Sequence, residues 1–443
     1  MKILYVTSEA APFSASGGLG DVMGALPHAL NALDPDNSVS VILPLYGTLK
    51  EEHRIRLSKV CDLDFRLSWR KTGASIYQIL EGGVRYYFVE NHYYFDRKQL
   101  YGEYDDAERF AFFSTAVVEF MKQTGTVPDV LHANDWQSAL AIILLKTEYA
   151  HVARLANIKT VYTIHNIEYQ GKFDPYILGD VFGMDSAFYH MLEFDGCINL
   201  MKGAMVSADY ITTVSPNYAL ELSYDYFAFG LSGIVNACSF KMSGIINGID
   251  YAAFSPEDGL DIAFPYGIKN LKEGKMKNKL ALQSELGLVE NPDVPLFVMI
   301  TRLASQKGID LLLHVLDEFL EQNVQVVVLG TGEREYEDAL RAIESRHENM
   351  RALIRFDRAL SKRMYAAADF FLMPSKSEPC GLAQMIACSY GTVPIVRSVG
   401  GLADTIVPYG QSGGCGFRFD NYNAHELLFC MKDALAEIGR AHV

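Results

Sequence analysis

No apolar run in this chain approaches the roughly 18 to 20 residues that a membrane-spanning helix needs, so a helical membrane protein is not the expectation. The opening residues Met1 to Val6 have the apolar character of a signal peptide, but Glu9 interrupts them too early and a buried strand accounts for them better. Positive charge is scarce: 39 Lys and Arg against 54 Asp and Glu give a net charge of −15 and a pI near 5.2. Such a balance repels nucleic acid and anionic lipid, so neither is expected as a partner. The 7 cysteines are odd in number, scattered and without CxxC spacing, which argues against a disulfide frame or a zinc site and for reduced thiols in a cytoplasm. Two motifs are incomplete. Gly330-Thr331-Gly332 lacks the third glycine and trailing acid of a dinucleotide fingerprint, and Asp62-Leu63-Asp64 alternates within a strand-like stretch, as a solvated strand face does.

What remains is a chain of 443 residues, 49% hydrophobic and 21% charged, large enough for two or three cores. Its first half alternates continuous apolar segments with helical periodicity. Strands are predicted at 2–8, 38–44, 84–90, 129–132, 159–164 and 210–214, and helices at 21–33, 107–121 and 137–146. The second half repeats the scheme, with strands at 296–300, 325–329, 370–373 and 393–396 and helices at 310–321, 334–347, 360–368 and 382–390. Alternation of this kind predicts parallel sheets covered by helices on both faces. The turn-rich stretch 250–265, with Pro256, Asp258, Gly259 and Pro265, places a boundary near 249 and gives domains 1–248 and 249–443. Two doubly wound domains predict a ligand site at the carboxyl ends of their strands.

Several strand-end segments have residues suited to such a site. Arg302 and Lys307, in the loop Thr301 to Gly308, put two cations where they can converge on a diphosphate. In the second loop, Glu378-Pro379-Cys380-Gly381-Leu382 places a carboxylate and a glycine immediately before a helix whose first amides can receive a phosphate. In isolation, either loop reads better as an ordinary feature, a solvated basic turn or a helix-capping acid. His165-Asn166, His132 to Trp136 and Asn247-Gly248 are also strand-end or turn residues that mean little one at a time.

Their order and spacing together are specific. With Ser8-Glu9-Ala10-Ala11-Pro12, Gly17-Gly18-Leu19-Gly20-Asp21, Tyr169-Gln170-Gly171, Val214-Ser215-Pro216 and Gly400-Gly401-Leu402-Ala403-Asp404, they make the chain resemble bacterial glycogen synthases and plant starch synthases from Met1 to about Asp433. The resemblance implies an α/β GT-B fold, two Rossmann-like domains facing across a cleft. It implies transfer of glucose from ADP-glucose to the non-reducing end of an α-1,4-glucan such as glycogen, with retention and without a metal or other cofactor. By position, Arg302 and Lys307 would hold the diphosphate and Glu378 would bind glucose hydroxyls. Asp21, Asp135, His165 and Asn247 would line the glucose pocket, with His165 grouped with the catalytic residues. Gly18 and Leu382 would offer backbone donors beside Cys380 and Gly381, and Phe356 would lie by the base. No carboxylate stands out as a covalent nucleophile.

Two departures from the family pattern qualify this. Where the family has Lys-Thr-Gly-Gly or Lys-Val-Gly-Gly, this chain has Ala15-Ser16-Gly17-Gly18, so a donor-site cation is missing. Family members also continue for about 35 more residues, whereas the codons of Ile438 to Val443 can be written to read as a sequencing-adapter oligonucleotide, so a longer natural protein is expected. A UDP-glucose-using relative and a catalytically weak glucan-binding homologue are the alternatives.

Overall fold

The computed structural model describes residues 1–257, 259 and 261–441; Asp258 of the expected linker and the last tail residues, His442 and Val443, lie outside the described residues. The chain divides into two compact units, Met1–Gly248 and Ile249–Val443.

In the first unit the strands are β1 (Lys2–Val6), β2 (Ser38–Pro44), β3 (Ser58–Leu67), β4 (Arg70–Glu81), β5 (Val84–Glu90), β6 (Val130–Asn134), β7 (Lys159–Ile164), β8 (Lys172–Phe173), β9 (Glu193–Phe194), β10 (Cys197–Asn199), β11 (Tyr210–Thr213) and β12 (Met242–Gly244). Nine of them form one sheet in the order β12-β11-β7-β6-β1-β2-β5-β4-β3, and β8-β10-β9 form a small second sheet. Pairing is parallel from β12 to β5, but β5-β4 and β4-β3 are antiparallel, so the sheet is mixed rather than wholly parallel. The cause is local. Gly82 and Gly83, both at positive φ, close a two-residue turn between Glu81 and Val84. In β3, exposed Asp62, Asp64 and Arg66 alternate with buried Leu63, Phe65 and Leu67, a one-sided pattern that an antiparallel edge tolerates. The helix Asp106–Thr124 is buried nearly all round, which places it in the core between neighbours.

The second unit contains β13 (Leu296–Ile300), β14 (Gln325–Leu329), β15 (Met350–Leu353), β16 (Phe370–Met373), β17 (Val393–Arg397) and β18 (Phe417–Phe419). All pairs are parallel, in the order β15-β14-β13-β16-β17-β18. Leu312, Leu316 and Phe319 of the amphipathic helix Ile309–Leu320 pack on this sheet, with Phe319 edge-on to Phe297 at 4.9 Å between ring centres. Among the parallel strands, the order in which the chain lays them down reverses between β1 and β6 in the first unit and between β13 and β16 in the second. Loops diverge there, leaving room for a ligand at the carboxyl strand ends. Among the described residues no helix is long and apolar enough to cross a membrane.

Candidate active site

In the second unit, adjacency of β13 and β16 brings two loops together that lie some seventy residues apart in the chain. Lys376 N donates to Gln306 O at 2.8 Å. Gly308 adopts φ 72° directly beside the Pro374 carbonyl, which a Cβ would overlap. The zipped loops set Lys307 against Glu378: Nζ donates to Oε2 at 2.7 Å, and Ser375 Oγ donates to the same oxygen at 3.0 Å. Glu378 is 7% exposed, and among the described residues no hydrogen bond reaches its Oε1.

The backbone beneath Glu378 is fixed from two further strands. Gly401 N donates to the carbonyls of Glu378 and Pro379, each at 3.1 Å, and Gly400, φ 47°, packs on the Glu378 carbonyl. Buried Arg397, at the end of β17, donates through Nη1 to Lys376 O at 2.7 Å and through Nε to Asp420 O at 3.2 Å. Arg302 is exposed, and its loop is held by Leu303 N donating to Thr331 O at 2.9 Å and Glu333 N to Leu303 O at 2.7 Å. The glycines of Gly330-Thr331-Gly332 permit that close packing, since a Cβ on either would overlap the carbonyl of Thr301 or Leu303. Cys380 is buried, Gly381 turns the chain at φ 71°, and Leu382 stands at the N-cap of the helix Ala383–Ser389, whose first-turn amides have no acceptor within the helix. Phe356 is 90% exposed and makes none of these contacts.

In the first unit the loops after β6 and β7 meet. Asp135, φ 57°, caps the helix Trp136–Lys146, and its Oδ1 accepts from His165 N at 2.7 Å. Burial pushes the Asp135 carboxyl up to about 7, against backbone hydrogen bonds from His165 and Asn166 that favour the anion. His165 Nε2 lies 3.0 Å from Asn134 Oδ1. The Asn134 amide nitrogen is committed to the carbonyls of Val6 and His132, at 3.2 and 3.3 Å, so its oxygen must be the acceptor. The network therefore assigns the imidazole proton to Nε2 and leaves Nδ1 bare. Burial holds His165 down to about 4, a neutral ring. His132, held down to about 3 first by burial and then by His165, bonds Thr163 within the core and is structural.

Gly18 opens the helix Gly18–Leu33, and Asp21 is half-buried in its first turn. Asn247 is half-buried in the loop that follows β12. Sequence reasoning assigned no site role to Glu9. This carboxylate, 3% exposed, accepts from Ser16 Oγ at 2.7 Å, from Ser16 N and from the Tyr101 hydroxyl, and so anchors the glycine-rich loop. An acid at the end of an otherwise apolar buried strand was the available signal.

Two phosphate-compatible strand-end loops on twin doubly wound sheets, one with a fixed cation and carboxylate, define a glycosyltransferase of the GT-B fold. Residues 2–237 match the family described as starch synthase catalytic domain, and residues 286–437 match glycosyl transferases group 1. The chain is 44% identical to a glycogen synthase of Exiguobacterium sibiricum over 440 residues, covering 98% of this chain and 91% of the relative. It is 45% identical to a glycogen synthase of Bacillus subtilis, over 98% and 91%. Among solved structures, the catalytic domain of starch synthase IV from Arabidopsis thaliana, bound to ADP and acarbose, matches with a TM-score of 0.90 and 33% identity, over 98% and 91% of the two chains. The chain belongs to the glycogen and starch synthase family.

Proposed function

We propose that this chain transfers glucose from ADP-glucose to the 4-hydroxyl at the non-reducing end of an α-1,4-glucan, with retention at the anomeric carbon. The observation that carries the reading is the Lys307–Glu378 pair on the zipped loops of β13 and β16. An ammonium has three donors. One is committed to Glu378, which leaves two for diphosphate oxygens, and exposed Arg302 supplies a planar guanidinium to the same charge. Both cations oppose the negative charge that grows on the departing diphosphate, and stabilising such charge is the largest contribution a site of this kind makes. Glu378 Oε1 accepts from glucose hydroxyls, while Ser375 and Lys307 hold the carboxylate in place through Oε2. The backbone donors of Gly18 and Leu382, beside Cys380 and Gly381, receive phosphate oxygens.

Asp21, Asp135, His165 and Asn247 bind the glucose, and Phe356 packs by the base. The bare Nδ1 of His165 is an acceptor for a sugar hydroxyl. In a front-face substitution the leaving phosphate takes the acceptor proton, so no carboxylate need attack. The reading places the enzyme in a cytoplasm, with its thiols reduced, and gives no part to a metal, a cofactor, nucleic acid or a membrane. The names of the bacterial relatives and the ADP and acarbose bound to the Arabidopsis enzyme support donor and acceptor. Exposed, uncharged Ala15 favours a second reading, a slow or chiefly glucan-binding homologue.

Incubation with labelled ADP-glucose or UDP-glucose and glycogen, with no added divalent metal, tests this. Label from ADP-glucose in glycogen is the expected result. Glycogen binding without incorporation from either donor would overturn it. Arg302→Ala should lower turnover by about 100-fold or more, and normal turnover in that variant would remove its diphosphate role.

A further inference from the structure

The loops that carry Lys307 and Glu378 are both reached by one residue far along the chain. Tyr422 stands, half-buried, in the loop that follows β18. Its hydroxyl donates to Asp310 Oδ1, with Ser305 O at 3.4 Å as a further acceptor. Those two residues flank Lys307. Ser305 opens the short turn Ser305–Lys307, and Asp310 lies in the first turn of the helix Ile309–Leu320. Ser305 O also accepts from Gly308 N at 3.2 Å, so the turn is closed on itself and held from outside at the same atom. Burial, and then the bond to Asp310, push the Tyr422 phenol above its ordinary range, which keeps it a donor.

The Tyr422 ring meets the other loop. The Arg397 guanidinium lies 5.6 Å from the ring centre and Lys376 Nζ lies 5.8 Å from it, both within cation–π range. Arg397 Nη1 donates to Lys376 O at 2.7 Å and to Ser375 O at 3.4 Å, and Ser375 Oγ donates in turn to Glu378. One tyrosine thus holds the Lys307 turn through its hydroxyl and the Glu378 loop through its ring. Ser305 and Asp310 are exposed, so water can replace the phenol as their partner and folding gains little from these bonds. Water cannot hold the two sides of the turn at one fixed separation. An ammonium on a flexible four-carbon stem delivers its charge to one place only where its backbone is fixed.

We propose that Tyr422 is a positioning residue for the donor: its hydroxyl sets the Ser305–Lys307 turn so that the Lys307 ammonium meets the donor diphosphate while still paired with Glu378. The proposal rests on the reading of Lys307 as a diphosphate ligand.

The test is ADP binding by calorimetry, beside transfer from ADP-glucose to glycogen, in the full chain. Tyr422→Phe removes the hydroxyl and keeps the ring against Arg397. It should weaken ADP binding about fivefold and lower kcat about tenfold, with the KM for glycogen and the thermal midpoint nearly unchanged. In a Lys307→Met background the same change should make no further difference to ADP affinity, since a residue that acts through Lys307 has nothing left to position. Unchanged ADP affinity in Tyr422→Phe overturns the proposal, and so does an equal loss with and without Lys307. A Tyr422→Phe chain in which ADP affinity, the KM for glycogen and the thermal midpoint all worsen together has lost a structural residue, which also overturns it. ADP binding that depends on Tyr422 without any transfer defeats the proposed reaction and leaves the positioning role standing. Absence of ADP binding in the unaltered chain overturns both.

Discussion

Lys307 Nζ and Glu378 Oε2, 2.7 Å apart with side chains 17% and 8% exposed, form an ion pair that only the β13–β16 adjacency makes possible. Removing one partner strands the other. Lys307→Met leaves a nearly buried carboxylate without its cation and should cost about 3 kcal/mol of stability, read by thermal unfolding. The double variant Lys307→Met, Glu378→Leu should recover most of that stability while transfer stays abolished. Recovery of neither, or of both, would separate the pair from the role assigned to it.

Ala15 is exposed at the start of the glycine-rich loop, at the position where the family resemblance leads one to expect a lysine. A lysine at that position can extend into solvent beside Gly18 without repacking a core. Ala15→Lys should lower the KM for ADP-glucose by about tenfold, the equivalent of one charge-assisted hydrogen bond, with a smaller change in kcat. An unchanged KM would show that the first-unit loop of this chain binds donor without a cation.

Gly400 and Gly410 form a matched pair for testing the brace under Glu378. Both adopt positive φ, 47° and 86°, but a Cβ on Gly400 would overlap the Glu378 carbonyl whereas one on Gly410 meets nothing within 4 Å. Gly410→Ala should lose about 1 kcal/mol and keep full turnover. Gly400→Ala should lose about 2 kcal/mol or more and reduce kcat as well, because the carbonyl that must move belongs to the proposed sugar-binding residue. Equal effects of the two changes on kcat would show that the brace does not position Glu378.

Elements whose buried face is apolar were legible in the sequence. Runs such as Leu296–Ile300, Gln325–Leu329 and Phe370–Met373 form strands with the bounds their composition implies. The helix Leu271–Glu285 was not legible because its buried face is polar: Asn278 donates to Phe264 O, Gln283 to Gln325 Oε1, and Lys279 pairs with Asp369. Hydrophobic periodicity has no purchase on such a face. The hairpin β4–β5 is marked in the sequence only by Gly82-Gly83, a cue that the reading by strand–helix alternation does not use. At the site, residue types were legible but partners were not. That Lys307 meets Glu378, or that Glu9 reaches Ser16 and Tyr101, depends on strand order and loop closure across long separations, which spacing in one sequence does not encode.

Asp135 offers a test in which the sign decides. Burial raises its carboxyl from 3.8 to about 7, so between those values the folded chain keeps a proton that the unfolded chain has released. Stability therefore falls as pH rises through that window, and the full penalty is present above about 7. Asparagine cannot ionise, yet its Oδ1 can still accept from His165 N, as Asp135 does at 2.7 Å. Asp135→Asn should thus be more stable than the unaltered chain at pH 8, by on the order of a few kcal/mol, and the advantage should vanish as pH approaches 4. Transfer should fall most above about pH 7, since the anion present there is the form that can accept two sugar hydroxyls. Midpoints of thermal unfolding for both chains across pH 4 to 8 provide the readout, and a difference that does not vary with pH would show that Asp135 titrates as a solvated carboxylate and carries no buried charge.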